Sequence, residues 1–274
     1  MILQNLHTHS TFDDGQSSLE EMALAAEEAG LTSLGFSVHT PMPFDSCWTI
    51  APERMPDYLA EVRRLRTAFA GRVAIYSGAE WDLLSQVSLR EFDYVIGSMH
   101  FIRSGDRGSC VDNTPEMTAR YLAEMFGGDA DSAAEAYFAG YETLARSEEV
   151  DIVGHFDLIT KFDEKQRFYR AGSSRFRDAA FSAMDDLIKA EKIFEINTGA
   201  ISRGYRTTPY PSRELLCELK RRGARITVSS DAHSAKHVDF GLNEAAEFAE
   251  SCGFTEVWQF DGRKFLPFPI GGGA

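Results

Sequence analysis

The stretch RITVSSDAH, residues 225–233, joins a strand-like run to two side chains that often act in catalysis. Its first four residues are rich in β-branched side chains, a composition typical of a buried strand. Asp231 and His233 follow where this run ends. The N-terminus repeats the arrangement, because residues 2–6 (ILQNL) lead directly into the motif HTHS at 7–10. The sequence therefore predicts a sheet whose strand ends carry carboxylates and imidazoles.

Strand-like runs of this kind recur along the chain, and helix-like stretches separate them. Residues 17–29, for example, begin with a helix-capping pattern, and Gly30 follows them as a helix-ending residue. Further strand-like runs at 193–197 and 256–260 follow helical patterns. Apolar strands that alternate with helices indicate a parallel sheet covered by helices. Four of the runs lead directly into a ligand-type side chain: His39, Glu80, His100 and His155.

The length and the alternating pattern together predict one α/β domain. At 274 residues, about eight strands fit a (β/α) barrel of the TIM type better than an open doubly wound sheet. No GxGxxG motif follows the first strand, which disfavours a dinucleotide-binding fold. We expect residues 1–268 to form the domain and residues 269–274 to form a flexible tail.

Composition excludes several classes of partner. The formal net charge of −14 argues against nucleic acid or an anionic membrane as a general partner. The four cysteines are far apart and form no CxxC pair, so we expect free thiols rather than a zinc knuckle or a disulfide framework. We find no signal-peptide pattern and no apolar run long enough to span a bilayer. These features predict a soluble, cytoplasmic protein.

Six of the seven histidines lie at or just after the end of a predicted strand, and two carboxylates occupy the same kind of position. The carboxyl ends of parallel barrel strands converge on one face, where active sites are built. A single histidine there is usually structural, but six together indicate a metal centre for Zn²⁺, Mn²⁺ or Fe²⁺. His237 falls outside the pattern. The residues within it are His7, His9, His39, Glu80, His100, His155, Asp231 and His233.

These eight candidate ligands exceed what one tetrahedral ion uses, so we expect more than one metal. His7 and His9 are two residues apart on one strand and therefore point to the same side. Two or more ions about 3.5–4 Å apart are the usual apparatus for hydrolysing a phosphate ester. The pattern therefore predicts a metal-dependent hydrolase.

The ordered motifs resemble those of the polymerase-and-histidinol-phosphatase (PHP) superfamily. Within it, the chain is most similar to the monofunctional histidinol-phosphate phosphatases. This resemblance extends over about residues 2–260 and implies a distorted TIM-like barrel of about seven to eight parallel strands with two to three divalent ions (Zn, Mn or Fe). The motifs are HTHS (7–10), SVH (37–39), GAE (78–80), SMH (98–100), GHFD (154–157) and SSDAH (229–233), with HTPMP (39–43), NTG (197–199) and PYPS (209–212) closer to the phosphatases.

The resemblance also implies how the ligands divide among three metal sites. The first site takes His7, His9, Glu80 and Asp231. The second takes Glu80, as a bridging ligand, with His100 and His155. The third takes Asp14, His39 and His233, although the adjacent Asp13 is an alternative to Asp14.

The reaction that the resemblance implies is hydrolysis of L-histidinol phosphate to L-histidinol and phosphate, in histidine biosynthesis. The nucleophile would be a metal-bridging hydroxide held by Glu80, His100, His155 and Asp231. The alternative is a PHP phosphoesterase that acts on another small phosphate ester or on a nucleotide. Two other hypotheses are disfavoured. An amidohydrolase-type barrel needs a bridging lysine where Glu80 stands, and a non-catalytic regulatory barrel would not need the whole ligand set.

Cationic side chains at strand ends are candidates for binding the phosphate. Arg203, Arg206 and Lys161 follow predicted strands, and arginine suits bidentate phosphate contacts. Surface exposure in solvent is the competing interpretation for each. An acidic residue should meet the ammonium group of the substrate, with Glu195, Asp82 and Asp157 as candidates.

Several features stay open at this point. These are the native metal, the general acid, the breadth of specificity and the oligomeric state, a homodimer being one option. The loop at 104–114 is a candidate lid. Trp48 and Trp81 could line the pocket or pack in the core.

Overall fold

The computed structural model describes residues 2–44, 47–170 and 172–270. Seven parallel strands form one sheet in which the strands follow each other in chain order, and four further strands form two hairpins. The strands are β1 (Gln4–Asn5), β2 (Ser33–His39), β3 (Ala74–Asp82), β4 (Tyr94–Ser98), β5 (Phe101–Ser104), β6 (Arg107–Cys110), β7 (Ile152–Val153), β8 (Ile193–Asn197), β9 (Arg225–Ser229), β10 (Glu256–Phe260) and β11 (Phe265–Pro269).

The seven-stranded sheet curls into a nearly closed barrel. A parallel bridge between Thr8 and Ala232 joins the chain after β1 to the chain after β9. In this bridge His9 N donates to Ala232 O over 2.8 Å, and Ala232 N donates to His7 O over 3.3 Å. Closure thus takes place beside the first and last ligand motifs. The predicted parallel (β/α) barrel is confirmed.

Helices pack around the outside of the barrel. On α7 (Ser174–Lys189), five apolar side chains at helical spacing are buried, which is the pattern of an amphipathic surface helix. Among the described helices, none is both long enough and apolar enough to cross a bilayer. The helices are α1 (Leu19–Glu28), α2 (Met55–Ala68), α3 (Pro115–Phe126), α4 (Ala130–Ala139), α5 (Tyr141–Arg146), α6 (Asp163–Gln166), α7 (Ser174–Lys189), α8 (Gly199–Ser202), α9 (Arg213–Arg221) and α10 (Leu242–Ser251).

Tyr94 fills the interior of the barrel. Its hydroxyl donates to Leu6 O, and its ring lies against the backbone of Gly35 and Gly78. A Cβ atom at Gly35 or Gly78 would lie 2.2 Å from Tyr94 atoms, closer than side chains approach. Glycine at these two positions therefore lets one large ring occupy the barrel axis.

The run at 256–260, expected among the parallel strands, instead forms the antiparallel hairpin β10–β11. The hairpin lies at the amino end of the barrel, where Gln4 exchanges two hydrogen bonds of 2.8 Å with the backbone of Phe260. Residue 269, expected in the flexible tail, ends β11, and residues 271–274 lie outside the described residues.

The stretch 104–114, expected to be a loop, begins inside a second hairpin. Strands β5 and β6 pair directly after the fourth barrel strand. Ile102 on β5 and Val111, which follows β6, are buried. The hairpin leads into α3 through Thr114, whose hydroxyl accepts from Met117 N.

Candidate metal centre

The structure brings all nine predicted metal ligands together at the carboxyl end of the barrel. The pairing register explains this, because His39 on β2 lies opposite Glu80 on β3 and the other ligands follow strands of the same sheet. Most of the nine are buried, and Asp14 is the most exposed. The nine are His7, His9, Asp14, His39, Glu80, His100, His155, Asp231 and His233.

Glu80 lies at the middle of the cluster. Its Oε2 is 3.1 Å from His7 Nε2 and 3.0 Å from His39 Nδ1. Its Oε1 is 2.9 Å from His155 Nε2 and 3.4 Å from His100 Nε2. Each oxygen therefore faces a different group of imidazoles, as a carboxylate that bridges two metal ions would.

The remaining candidate ligands extend the cluster from the segments after β1 and β9, the two strands at which the barrel closes. His9 Nε2 lies 3.3 Å from Asp231 Oδ1, and His233 Nε2 lies 3.3 Å from Asp14 Oδ1. Asp14 Oδ1 is also 3.8 Å from His39 Nε2. Four sets of three or four of these residues each offer ligand atoms within 4.8 Å of one another.

The donor atoms fit divalent ions. Several buried polar atoms in the described cluster have no hydrogen-bond partner, among them Nε2 of His7, Nε2 of His9, Nδ1 of His39 and Oε2 of Glu80. Buried polar atoms are normally satisfied, so a converging set of unsatisfied ones calls for a bound group. Imidazole nitrogens and carboxylate oxygens without thiolates suit Zn²⁺, Mn²⁺ or Fe²⁺.

The electrostatics of the metal-free cluster are those of closely packed opposite charges. Burial by itself would raise the pKa of Glu80, but the imidazoles of His39 and His7 hold this pKa well below its usual range. Burial would lower the pKa of His9, but the carboxylate of Asp13 raises it to about 10. The metal-free protein therefore holds protons where cations would bind.

Three further carboxylates lie behind the ligands, and the sequence analysis did not assign them this place. Asp13 Oδ2 accepts from His9 Nδ1 over 2.8 Å, which puts Asp13 behind the cluster and leaves Asp14 facing it. Glu195 Oε1 lies 2.6 Å from His7 Nδ1, and Asp82 Oδ2 accepts from His100 N over 2.9 Å.

Glu195, Asp82 and Asp157, suggested as partners for a substrate ammonium group, do not line the cavity above the cluster. Glu195 and Asp82 are occupied behind the ligands, and Asp157 is buried and accepts from Ser212 N. That hypothesis was wrong, because strand-end position by itself does not distinguish a side chain facing the cavity from one facing the neighbouring strand.

A cavity of about 470 Å³ opens above the cluster. Trp48 lines it, with its ring 4.8 Å from that of His39, and Phe101 stacks beside Trp48. Trp81 does not line it, and its indole nitrogen donates to Ser85 O. Besides the ligands, the cavity is lined by Cys47, Trp48, Phe101, Cys110, Asp112, Asn113, Leu158, Lys161, Arg203 and Tyr205.

Two of the three predicted phosphate-binding residues line this cavity. Arg203 contacts Asp231 Oδ2 over 3.0 Å and His233 Nδ1 over 2.6 Å. Lys161 lies 3.1 Å from Asp112 Oδ2. Arg206 is placed elsewhere, since it is buried over the ring of Tyr210 and bonded to Thr160.

Asp112 is a cavity residue that the sequence analysis missed. It accepts from the thiol of Cys110 as well as from Lys161, and these two bonds hold it at the cavity wall. The signal was available, because Gly105-Asp106 is a hairpin turn pair between two runs of strand length. Reading 101–110 as a hairpin would have placed Asp112 at its end.

A parallel barrel with a cluster of imidazoles and carboxylates at its carboxyl end defines a metal-dependent hydrolase. The family model of the PHP domain matches residues 5–199. The chain is 30% identical over 259 residues to a protein of Deinococcus radiodurans named "Probable histidinol-phosphatase", covering 90% of this chain and 92% of that one. The chain belongs to the PHP family.

Two comparisons with Lactococcus lactis subsp. lactis agree with this assignment. A protein named "Histidinol-phosphatase" is 26% identical to the chain and covers 94% of both. The solved structure of histidinol phosphate phosphatase, in complex with zinc, L-histidinol and phosphate, superposes with a TM-score of 0.73 at 24% identity. It covers 96% of this chain and 98% of that one, and it supports the shared fold.

Proposed function

We propose that this protein hydrolyses L-histidinol phosphate to L-histidinol and inorganic phosphate. The observation that supports this most directly is the complete ligand cluster around Glu80, with Arg203 at the wall of the same cavity. The names of the relatives from Deinococcus radiodurans and Lactococcus lactis supply the substrate. The reaction belongs to amino-acid biosynthesis, which agrees with the cytoplasmic location expected from free thiols.

We propose that the cluster holds two to three divalent ions. When bound, such ions supply Lewis acidity to the phosphoryl oxygens and lower the pKa of water towards neutrality. Glu80 is the proposed bridging ligand between the first and second sites, because its Oε2 faces His7 and His9 of the first site and its Oε1 faces His100 and His155 of the second. Asp14 is the proposed carboxylate of the third site, since it faces His39 and His233 whereas Asp13 does not.

Arg203 is the proposed phosphate-binding residue. Its guanidinium reaches the cavity and already contacts a carboxylate oxygen of Asp231, so a bidentate contact to a phosphoryl oxygen would replace or join that ion pair. Burial would lower the pKa of Arg203, but Asp231 raises it, so the side chain carries its charge at every working pH. Arg206 takes no part in this contact, because its guanidinium is bonded inside the protein.

The part of the cavity wall beside the cluster suits an organic cation. Trp48 and Phe101 offer aromatic faces, and Asp112 is the acidic lining residue, among those described, that lies outside the proposed ligand set. Lys161 pairs with Asp112 over 3.1 Å and lies over the ring of Tyr205. An ammonium or imidazolium group of the substrate would share Asp112 with Lys161, and this contact replaces the suggested role of Glu195, Asp82 and Asp157.

The test is release of phosphate by the purified protein, with the metal content measured on the same sample. We expect release from L-histidinol phosphate that stops after chelation and returns when Zn²⁺ or Mn²⁺ is added back. A panel of nucleoside monophosphates and simple alkyl phosphates should react much more slowly. Faster hydrolysis of a panel member would indicate that another phosphate ester is the substrate. Phosphate release that is unchanged by chelation would contradict the proposed metal centre.

A pair of arginine variants provides the control for phosphate binding. Arg203→Gln should lower kcat/KM on L-histidinol phosphate by about 100-fold, since one cationic contact to the phosphoryl group is lost. Arg206→Gln should leave the KM within about twofold, because Arg206 faces Thr160 and Tyr210 rather than the cavity. Equal losses of kcat/KM in both variants would contradict the assignment of Arg203 to the phosphate.

A further inference from the structure

Three buried carboxylates behind the ligand cluster share one bonding pattern. Each accepts a hydrogen bond from the backbone N–H of a proposed ligand histidine. Asp13 accepts from His39 N over 3.0 Å, Asp82 from His100 N over 2.9 Å, and Glu195 from His155 N over 2.9 Å. Asp13, Asp82 and Glu195 are called the outer carboxylates below.

Two outer carboxylates also hold the imidazole of a second ligand. Glu195 Oε1 lies 2.6 Å from His7 Nδ1, while its Oε2 binds the backbone of His155. Asp13 Oδ2 accepts from His9 Nδ1, over 2.8 Å, and from the backbone N–H of His39. A carboxylate on Nδ1 keeps the proton there and leaves Nε2 as the donor towards a metal.

The two residues therefore join different pairs of metal sites. Glu195 connects His7, proposed for the first site, to His155, proposed for the second. Asp13 connects His9 of the first site to His39 of the third. Neither carboxylate reaches the cavity.

We propose that Glu195 and Asp13 are positioning residues that couple metal binding between sites, Glu195 between the first and second and Asp13 between the first and third. An ion that fixes His7 also fixes Glu195, and Glu195 in turn fixes the strand end that carries His155. This inference rests on the proposed metal centre and not on the proposed substrate.

The geometry specifies which substitution is informative. Both oxygens of Glu195 accept a further hydrogen bond. Oε1 accepts from the hydroxyl of Ser229, and Oε2 accepts from Asn197 Nδ2 over 2.9 Å. A glutamine has one oxygen, so its NH₂ group would face either His7 Nδ1 or the backbone N–H of His155, and the hydrogen bond from that histidine would be lost. Glu195→Gln should therefore disturb one ligand while the volume of the side chain is conserved.

The experiment measures zinc binding to the metal-free full-length protein by competition with a chromophoric chelator, with metal counted after dialysis. In Glu195→Gln we expect the ions of the first and second sites to bind about 10–100-fold more weakly, with the third site retained. In Asp13→Asn the first and third ions should weaken and the second should be retained. Glu195→Asp should recover part of the affinity.

Asp151→Asn is the matched control. Asp151 is a largely buried carboxylate that accepts from the backbone of Val95 over 2.9 Å, just before β7 and away from the cluster. We expect wild-type affinities for all ions in this variant. The ¹⁵N resonances of His7 in the metal-free protein, recorded at a pH high enough to make this imidazole neutral, provide a second measurement, because Glu195→Gln should mix its two tautomers.

Wild-type zinc affinities in Glu195→Gln, or equal losses in all three variants, would overturn the proposal. A Glu195→Gln chain that does not fold would transfer the test to Glu195→Asp, in which the same two sites should weaken to a smaller extent. If the wild-type protein itself binds no metal, it is the proposed metal centre that fails, and this result is distinguishable from the others.

A separate observation concerns two thiols far from the cluster. Cys217 on α9 and Cys252 at the end of α10 place their sulfur atoms 2.7 Å apart, and both residues are partly exposed. Burial raises the pKa of Cys252 to about 11, with the neighbouring Cys217 thiol adding to the effect. The Cys252 thiol is therefore protonated near neutral pH, and the closeness of the two sulfur atoms comes from the packing of the two helices.

We propose that Cys217 and Cys252 form a reversible disulfide under a peroxide oxidant. One thiolate attacks an oxygen of hydrogen peroxide, so that an S–O bond forms as the O–O bond breaks, and the departing hydroxide takes up the proton that the thiol had lost and leaves as water. The second thiol then attacks the sulfenic sulfur, so that the S–S bond forms as the S–O bond breaks, and the hydroxyl group leaves with the proton of this thiol as the second water. The balance is two thiols and one peroxide to one disulfide and two waters. The bond would close a segment of 36 residues and tie α9 to α10.

Mass spectrometry of the peroxide-treated full-length protein tests this proposal. We expect a loss of two hydrogens, a cross-linked peptide pair and a midpoint of thermal unfolding raised by about 5–10 °C, all reversed by dithiothreitol. The reaction should accelerate with pH. Cys217→Ser should abolish the cross-link and Cys47→Ser should keep it. Sulfinic or sulfonic products without a cross-linked peptide would contradict the proposal.

Discussion

Removing the metals should leave protons in their place, and adding Zn²⁺ back should expel them. Burial would lower the pKa of His7, but the carboxylates of Glu195 and Glu80 raise it well above its usual value. Carboxylates likewise outweigh burial at His9, whose pKa rises to about 10, and at His100, whose pKa rises to about 9. These three imidazoles are therefore charged in the metal-free protein at pH 7.5.

The expected proton count follows from these shifts. Burial lowers the pKa of His39 to about 4, so this residue is neutral at pH 7.5 and releases nothing. The carboxyl groups of Glu80 and Asp231 have pKa values well below their usual range and carry no proton either. Filling the cluster should therefore release about three protons, and the overall zinc affinity should rise by about three powers of ten per pH unit between 7 and 8.5.

Isothermal titration of the metal-free protein with Zn²⁺ measures this release. At pH 7.5, the observed heat is plotted against the ionisation enthalpy of several buffers, and the slope is minus the number of protons that the buffer takes up. A slope near minus three is expected. A slope near zero would refute the reasoning, because it would mean that the histidines are neutral before the metal arrives.

The same shifts predict how the metal-free fold responds to pH. A histidine whose pKa is higher in the folded state than in the unfolded chain stabilises the fold in full below pH 6.5, and this stabilisation is lost as the pH rises through the folded value. His9 and His100 place that loss between about pH 6.5 and 10. The chelated protein should therefore show a falling midpoint of thermal unfolding over this range, and saturating Zn²⁺ should largely remove the dependence.

Three substitutions test the rest of the site and the fold. Gly199→Ala would place a Cβ 2.6 Å from Asp231 Oδ2, so we expect zinc binding, measured by chelator competition, to weaken at least tenfold while the fold is kept. Gly78→Ala would overlap the ring of Tyr94, and urea unfolding should show a loss of about 1–3 kcal/mol. Arg203→Lys should retain part of the phosphatase rate that Arg203→Gln loses, as kcat/KM on L-histidinol phosphate would show, because a lysine keeps the charge without the bidentate fork.

Much of the site could be predicted because it follows from strand ends. In a parallel barrel every strand delivers its carboxyl end to one face, so a histidine just after a strand needs no further information to be placed there. His39 and Glu80 illustrate this, since their strands pair in register and bring the two residues side by side. The same reasoning brought together His7, His100 and His155, which are widely separated in sequence.

The outer carboxylates could not be distinguished in this way. Glu195 lies within β8 and His155 follows β7, yet one lies behind the other, because alternate residues of a strand point to opposite sides and the direction depends on the barrel closure. Asp13 and Asp14 are adjacent in sequence, and only the turn after β1 decides which one faces the ions. Arg206 likewise followed a strand but turned inward to Thr160.

The amino-acid sequence by itself determined the alternating β–α order, the parallel barrel and the convergence of the proposed ligands on one face, because these depend on local periodicity and on where the strands end. The tertiary structure alone decided that 256–260 leaves the sheet to cover the amino end and that Glu195 supports His7. Each of these outcomes depends on a contact between residues distant in sequence, whose energy is set by packing and closure rather than by the pattern of the segment itself.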